Sequence, residues 1–178
     1  MHELGPDLIQ DLKQRYKTAS IEVIVHNQPA AAGIMDDLRF WDIIALFDWN
    51  KTDDDDAVIE PAVEALSQMS LEDISRFADI LSEKLWQLDT EAHALPFIQK
   101  HPNGYLSVDD FLYVRCCVVA NGKETFEEVL HHPGNMPDLT FSRLLHVASK
   151  AYERKTGEKM QHISAYNYET YSNENGWT

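Results

Sequence analysis

The chain has 178 residues, of which 30 are acidic and 15 are basic, so its formal net charge at pH 7 is −15. This length is typical of one domain with extensions, and a hydrophobic content of 44% favours a folded chain over a disordered one. Proteins that bind nucleic acids or anionic membranes present clustered lysine and arginine residues. The excess of acidic residues in this chain argues against both kinds of binding. We therefore expect neither as a partner, and a basic protein partner instead.

The first 35 residues form a predicted N-terminal extension. Pro6 suits the first position of a helix and Asp7 suits the positive end of the helix dipole, so we predict a helix over 6–17. The β-branched stretch 21–26 favours a short strand over further helix. A linker of mostly small residues follows at 27–33.

Two helices are predicted between residues 36 and 69. Asp36 or Asp37 caps the first of them, which reaches about Trp49 and is apolar on more than half of its surface. Residues 50–56 form a turn that contains four consecutive aspartates. The next helix extends to about Met69 and tolerates a proline in its first turn.

The most regular helix begins at Ser70–Asp73, a variant capping box, and its apolar residues recur at helical spacing as far as Leu88. Residues 89–106 are irregular, with a predicted helical turn from His93 to Ile98. A second capping sequence, Ser107–Asp110, begins a helix that ends at the Asn-Gly pair 121–122.

A short helix is predicted over 123–131, and a long one begins at Asp138 or Thr140 and ends at Gly157. The polar tail carries several aromatic residues, which favour packing on the chain's own domain over an added strand on a partner. These elements predict an all-α fold of six to seven helices, with one short N-terminal strand. We divide the chain into an N-terminal extension (1–35), a helical domain (36–160) and a C-terminal tail (161–178).

Neither the cysteines nor the first residues of the sequence indicate an exported protein. Cys116 and Cys117 are adjacent, and neighbouring residues do not readily close an unstrained disulfide. Residues 1–6 lack the apolar core of a signal peptide, and no apolar run approaches the ~18 residues of a membrane span. We expect a cytoplasmic protein whose two thiols are buried and inert.

The negative charge is concentrated in residues 36–64, which contain ten acidic and two basic residues. The aspartate run lacks the alternating ligands and the glycine of a calcium loop, so we predict no metal site there. We also predict no cofactor. A solvated helix N-terminus is one interpretation of the run, and a surface for a basic partner is another. The candidate partner-binding residues are Asp48, Asp53, Asp54, Asp55, Asp56 and Glu60. The basic stretch 143–159 offers an alternative, in which it neutralises the acidic half of the chain within the monomer.

The sequence contains no catalytic motif, and we predict no catalytic residue. Its eight histidines lack the His-Glu-x-x-His spacing of a zinc site, and no Gly-x-Ser-x-Gly elbow is present. Arg115 lies in an apolar predicted helix, where a charge needs a partner, so we expect it to pair with a carboxylate. Trp41 and Trp86 are candidates to line a pocket.

The stretch from about residue 40 to 160 resembles a bacterial domain family of unknown function, DUF4240. The likeness rests on the segments 40–44, 71–88, 107–115, 121–127, 144–148 and 151–153. The sequence departs from the family's pattern at 89–106. The resemblance implies a compact α-helical domain in bacteria and brings no activity. It places the family's charged positions at Asp109, Asp110 and Arg115, two of which also suit helix caps.

Three functional hypotheses follow. We favour a non-enzymatic interaction protein, such as an immunity protein that binds and neutralises a basic bacterial toxin, because the domain concentrates negative charge and lacks a catalytic motif. The second is a regulatory module that binds a small molecule in a pocket lined by Trp41 or Trp86. The third is an enzyme with a scattered active site, which requires several candidate residues to converge. Those candidates are His93, Asp109, Asp110, Arg115 and His146.

Overall fold

The computed structural model describes residues 35–100 and 105–178. Within these ranges the chain forms seven α-helices and no strand, which confirms the all-α prediction. The predicted helix at 6–17 and strand at 21–26 lie outside the described residues. The helices are α1 (Asp37–Ile44), α2 (Asp55–Ser67), α3 (Leu71–Gln87), α4 (Glu91–Lys100), α5 (Val108–Ala120), α6 (Lys123–His131) and α7 (Val147–Thr156). Short 3₁₀ turns cover Trp49–Lys51, Pro133–Asn135, Ser142–His146 and Glu174–Gly176.

Side-chain caps begin α3 and α5 at the predicted positions. The Ser70 hydroxyl accepts a hydrogen bond from the Asp73 N–H at 3.0 Å, and the Asp73 carboxylate accepts one from the Ser70 N–H at 3.3 Å. Ser107 accepts from the Asp110 N–H in the same way, at 3.3 Å. Asp73 also accepts from the Met35 N–H at 2.7 Å, which ties the chain before α1 to the start of α3.

The predicted end of the first helical-domain helix, at Trp49, is wrong, because α1 ends at Ile44. The Asp48 N–H donates instead to the Val58 carbonyl of α2, and the Asp48 carboxylate accepts from the Asn50 N–H. Both contacts draw the backbone away from the α-helical path and begin the 3₁₀ turn at Trp49.

Two other predicted elements differ from the structure. The predicted long last helix is a 3₁₀ turn over Ser142–His146 followed by α7, and the Phe141 N–H before it donates to the Tyr113 carbonyl of α5. The turn predicted from His93 to Ile98 is part of the longer α4, which contains Pro96. The Thr90 hydroxyl accepts from the His93 N–H near its start, a cap that the irregular sequence concealed.

The core is one continuous apolar cluster to which all seven helices contribute. α7 packs against α2 and α3, and α3 also packs against α5. Aromatic rings join the first helices to the rest: the Phe40 ring lies 4.9 Å from that of Phe77, and the Trp41 ring lies 5.5 Å from that of Phe126. None of the helices in 35–100 and 105–178 is long and apolar enough to cross a bilayer. The packing leaves the turn before α2 at the surface and brings the C-terminal tail onto α3 and α5.

Candidate functional site

The four consecutive aspartates lie where the chain enters α2. Asp54 caps the helix, because its carboxylate accepts hydrogen bonds from the N–H groups of Asp56 at 3.0 Å and Ala57 at 3.2 Å. Asp55 and Asp56 occupy the first turn, where the helix dipole favours negative charge. The aspartate run therefore forms the N-terminus of α2.

Two of the candidate acids are already paired with basic residues in or just before α7. Asp56 lies 3.1 Å from the Lys150 ammonium and 3.5 Å from the Arg143 guanidinium, and Glu60 lies 2.7 Å from Arg154. The hydrogen bond from Lys150 lowers the pKa of Asp56, and the one from Arg154 lowers the pKa of Glu60. The alternative in which the basic stretch neutralises acids within the monomer is confirmed for these two residues.

Asp48, the first of the candidate acids, also has local partners. Its carboxylate accepts from the Asn50 amide at 3.1 Å and lies 3.4 Å from the Lys51 ammonium. These contacts, the amide hydrogen bond first, lower the pKa of Asp48. Asp48 therefore shapes the turn before α2.

The remaining acids lie in the same region of the surface as an exposed aromatic ring. Asp53, Asp54 and Asp55 are exposed, and they form no ion pair within the part of the chain that the structure describes. Trp49 is 42% exposed, and its ring contacts that of Phe141 at 5.2 Å between centroids. A surface cleft is lined by the four aspartates and by Arg143, two residues after Phe141, so the ring and the acids lie in one region. We call Trp49, Asp53, Asp54 and Asp55 the acidic–aromatic patch.

Arg115 is fully buried and pairs with a carboxylate, as predicted. Its Nη2 lies 3.9 Å from Asp89 Oδ1 and donates to the Thr170 hydroxyl at 3.0 Å, and its Nη1 donates to the Leu85 carbonyl at 2.8 Å. The guanidinium carbon lies 4.9 Å from the centre of the Phe111 ring, within cation–π distance. Burial lowers the pKa of Arg115, and the charge of Asp89 acts in the opposite direction.

Asp89 is the buried carboxylate that sequence reasoning missed. Its side chain is 0% exposed, and it accepts from three donors of the C-terminal tail. The donors are the N–H groups of Tyr171 (3.2 Å) and Asn173 (3.0 Å) and the Trp177 indole (3.2 Å). The Ser172 hydroxyl lies 3.4 Å from the carboxylate and donates to the Asn167 carbonyl. The one signal in the sequence was Arg115, which required a carboxylate but did not say which.

The residues named for the enzyme hypothesis lie in different environments. His93 is buried, with ring nitrogens 2.7 Å from the Thr90 hydroxyl and 3.1 Å from the Val129 carbonyl, and burial lowers its pKa. His146 is exposed in the 3₁₀ turn before α7. Asp109 and Asp110 are exposed in the first turn of α5. Among the described residues, no three acidic, histidine or cysteine side chains are grouped to hold a metal ion.

The two tryptophans named for the small-molecule hypothesis pack against other rings. Trp41 lies against Phe126, with its indole donating to Asp37 at 3.1 Å, and Trp86 lies 5.1 Å from the ring of Tyr166. Two surface clefts along α3 are lined by other residues, including Met160 and His162.

The fold and these contacts define an all-α domain with an acidic surface at α2 and a C-terminal segment bound to a buried Asp–Arg pair. A family model described as a protein of unknown function, DUF4240, matches residues 35–170, and the chain belongs to this family. The resemblance noted in the sequence is thereby confirmed. No curated protein and no solved structure matches the chain.

Proposed function

We propose that this protein is a non-enzymatic interaction protein that binds a basic protein partner through the acidic–aromatic patch. The observation that carries the proposal is the 42%-exposed ring of Trp49, packed on Phe141, in the same region of the surface as three exposed carboxylates. Tryptophan is enriched at the energetic centres of protein interfaces. The carboxylates supply the long-range attraction that speeds the encounter with a cationic surface.

The finer proposal is that the partner is a basic bacterial toxin and that this protein is its immunity protein. A toxin that acts on nucleic acid must present lysine and arginine to phosphate groups. An acidic surface with an aromatic anchor covers such a region by charge and by apolar contact. The support for this class is the three acids of the patch, whose charges the bases near α7 leave unpaired.

The test in cells is growth rescue. The gene adjacent to this one is expressed in a bacterial host, with and without this protein. If the neighbour is the toxin, we expect it to arrest growth alone and to be neutralised by the wild-type protein. The key variant is Asp53→Asn, Asp54→Asn, Asp55→Asn, in which the amide oxygen introduced at position 54 can still cap the helix. We expect this variant to rescue less well.

A matched control removes the same amount of charge elsewhere. Asp109→Asn, Asp110→Asn, Glu124→Gln changes three exposed acids of α5 and α6. We expect this control to rescue growth as the wild type does. Equal rescue by the two triple variants would refute the role of the patch, and a neighbour that is harmless or does not bind would refute the immunity proposal.

Binding kinetics separate the two parts of the patch. With the purified partner, we expect the triple Asn variant to lower the association rate constant about tenfold or more at low salt, with the difference shrinking as salt rises. Trp49→Ala should mainly raise the dissociation rate constant, by roughly 30-fold for a loss of about 2 kcal/mol. A salt-independent association rate in the wild type would contradict electrostatic recognition.

A further inference from the structure

The C-terminal segment 166–177, which we call the strap, is bound to the helical body much as a peptide is bound to a receptor. Its only regular element is the 3₁₀ turn Glu174–Gly176. Its polar contacts reach the end of α3, the residue Asp89 that follows, and α5. This mode of binding does not involve the acidic–aromatic patch.

The strap is recognised through its backbone as well as its side chains. Asp89 accepts hydrogen bonds from the N–H groups of Tyr171 and Asn173, so one carboxylate binds the backbone of two alternate residues of the strap. The Asn173 amide donates to the Trp86 carbonyl at 3.1 Å. The Thr170 hydroxyl accepts from Arg115 and donates to the Val108 carbonyl at 2.7 Å, so both of its hydrogen-bonding roles are filled by the body.

Aromatic rings hold the strap near its two ends. Tyr166 contacts the ring of Trp86, and Trp177 contacts the ring of Phe111 at 6.1 Å with an edge-to-face angle of 85°. Aromatic pairs in this geometry stabilise beyond the area that they bury. The Trp177 indole also donates to Asp89, so this side chain contributes an apolar and a polar contact at once.

One position of the strap is too crowded to take a side chain without a shift of its neighbours. A Cβ atom on Gly176 would lie 2.7 Å from the Thr90 Cγ2 and 3.0 Å from the Asp89 carbonyl oxygen. The latter is backbone and cannot move aside cheaply. The groove therefore selects sequence at Thr170, Asn173, Gly176 and Trp177 by four different physical means.

We infer that the groove formed by the end of α3, Asp89 and α5 is a peptide-recognition site that the chain fills with its own strap, and that the strap is separable from the body. The buried Asp–Arg pair provides the acceptor and donor of this site. The ligand that it fits is a segment that turns at Tyr171, with closely spaced N–H donors, a threonine before them and a glycine–tryptophan pair after them, as in residues 170–177.

The test cleaves the full-length chain between the body and the strap and keeps both pieces in the sample. A recognition sequence for a specific protease is inserted between Ile163, which is 95% exposed, and Ser164, a position where insertion should be tolerated. After cleavage we expect the peptide to co-elute with the body and the helical circular dichroism signal to persist. We also expect a fluorescently labelled synthetic peptide of residues 164–178 to exchange into the groove, as measured by anisotropy.

Two variant peptides test recognition by competition. Trp177→Phe keeps an aromatic ring but removes the indole donor to Asp89, and we expect it to compete about tenfold less well. Glu174→Gln, a matched change at an exposed position of the strap, should compete as the wild type does. Loss of helical signal on cleavage, failure of the labelled peptide to exchange, or equal competition by the two variants would overturn the inference.

Discussion

Replacing Asp89 by asparagine should remove a large part of the protein's stability. The carboxylate offers two oxygens: Oδ1 accepts from the Tyr171 N–H and the Trp177 indole, and Oδ2 accepts from the Asn173 N–H. An amide offers only one such oxygen. If the amide oxygen takes the place of Oδ2, its NH₂ group faces the donors of Tyr171 and Trp177 and the guanidinium of Arg115. Two buried donors then lose their acceptor, and a buried cation loses its counter-charge.

The expected cost follows from these losses. A hydrogen bond to a charged group contributes about 1.5–3 kcal/mol, so two of them contribute about 3–6 kcal/mol. In mutational measurements, removing one partner of a buried ion pair costs about 3–5 kcal/mol, which agrees with the range from the two hydrogen bonds. The loss in the free energy of unfolding cannot exceed the cost of releasing the strap, because water can then reach Arg115 and the freed donors. We therefore expect the free energy of unfolding to fall by about 3–5 kcal/mol.

The assay is urea unfolding followed by far-UV circular dichroism. For an m value of about 2 kcal/mol/M, the midpoint should fall by about 2 M. Asp42→Asn, on the exposed face of α1, is the control and should lie within about 0.5 kcal/mol of the wild type. An Asp89→Asn variant as stable as the Asp42→Asn variant would refute the argument. The double variant with Arg115→Met should lose less than the sum of the single losses, because no unpaired charge remains.

Three further predictions concern single residues. Gly176→Ala should destabilise the fold by about 1–3 kcal/mol, and Thr90→Ser, which removes the contacting Cγ2, should recover part of this loss in the same urea assay. Because burial lowers the pKa of His93 from its usual 6.5, the contribution of this residue to stability should be complete above about pH 6.5 and be lost as the pH falls toward its folded-state pKa. A nuclear magnetic resonance titration in which His93 protonates at or above pH 6.5 would contradict this. Burial raises the pKa of Cys116 to about 12, so thiol reagents at about pH 8 should label it only after denaturation, and rapid labelling of the native protein would show that the thiol is accessible.

The starts of α3 and α5 were predictable because their causes are local. A serine accepts the N–H three residues ahead, so Ser70 and Ser107 mark α3 and α5 in the sequence itself. The carboxylate partner of Arg115 was predictable in kind, since a charge in an apolar helix face requires compensation. The end of α1 was not, because the Asp48 N–H is captured by a carbonyl of the next helix, and no pattern within α1 records that contact.

The two proposed surfaces, the acidic–aromatic patch and the groove that holds the strap, were only partly visible in the sequence for the same reason. The aspartate run is obvious in the sequence, but the exposure of Trp49 depends on how its ring packs on Phe141, more than 90 residues away. Asp89 reads as an ordinary loop acid, and its partners lie more than 80 residues further along the chain. Periodicity and capping describe neighbours within a few turns, so a contact across the whole domain leaves no such trace.

The net charge of −15 is thus a poor measure of what the surface offers a partner. Some carboxylates cap helices, Asp56 and Glu60 pair with basic residues in or before α7, and Asp89 is buried as the acceptor for the strap. If bulk charge governed recognition, the two triple variants, which carry the same net charge, would bind a basic partner equally well. If the acidic–aromatic patch governs it, only the change at α2 slows association. The comparison at equal charge therefore distinguishes a located docking surface from a merely acidic protein.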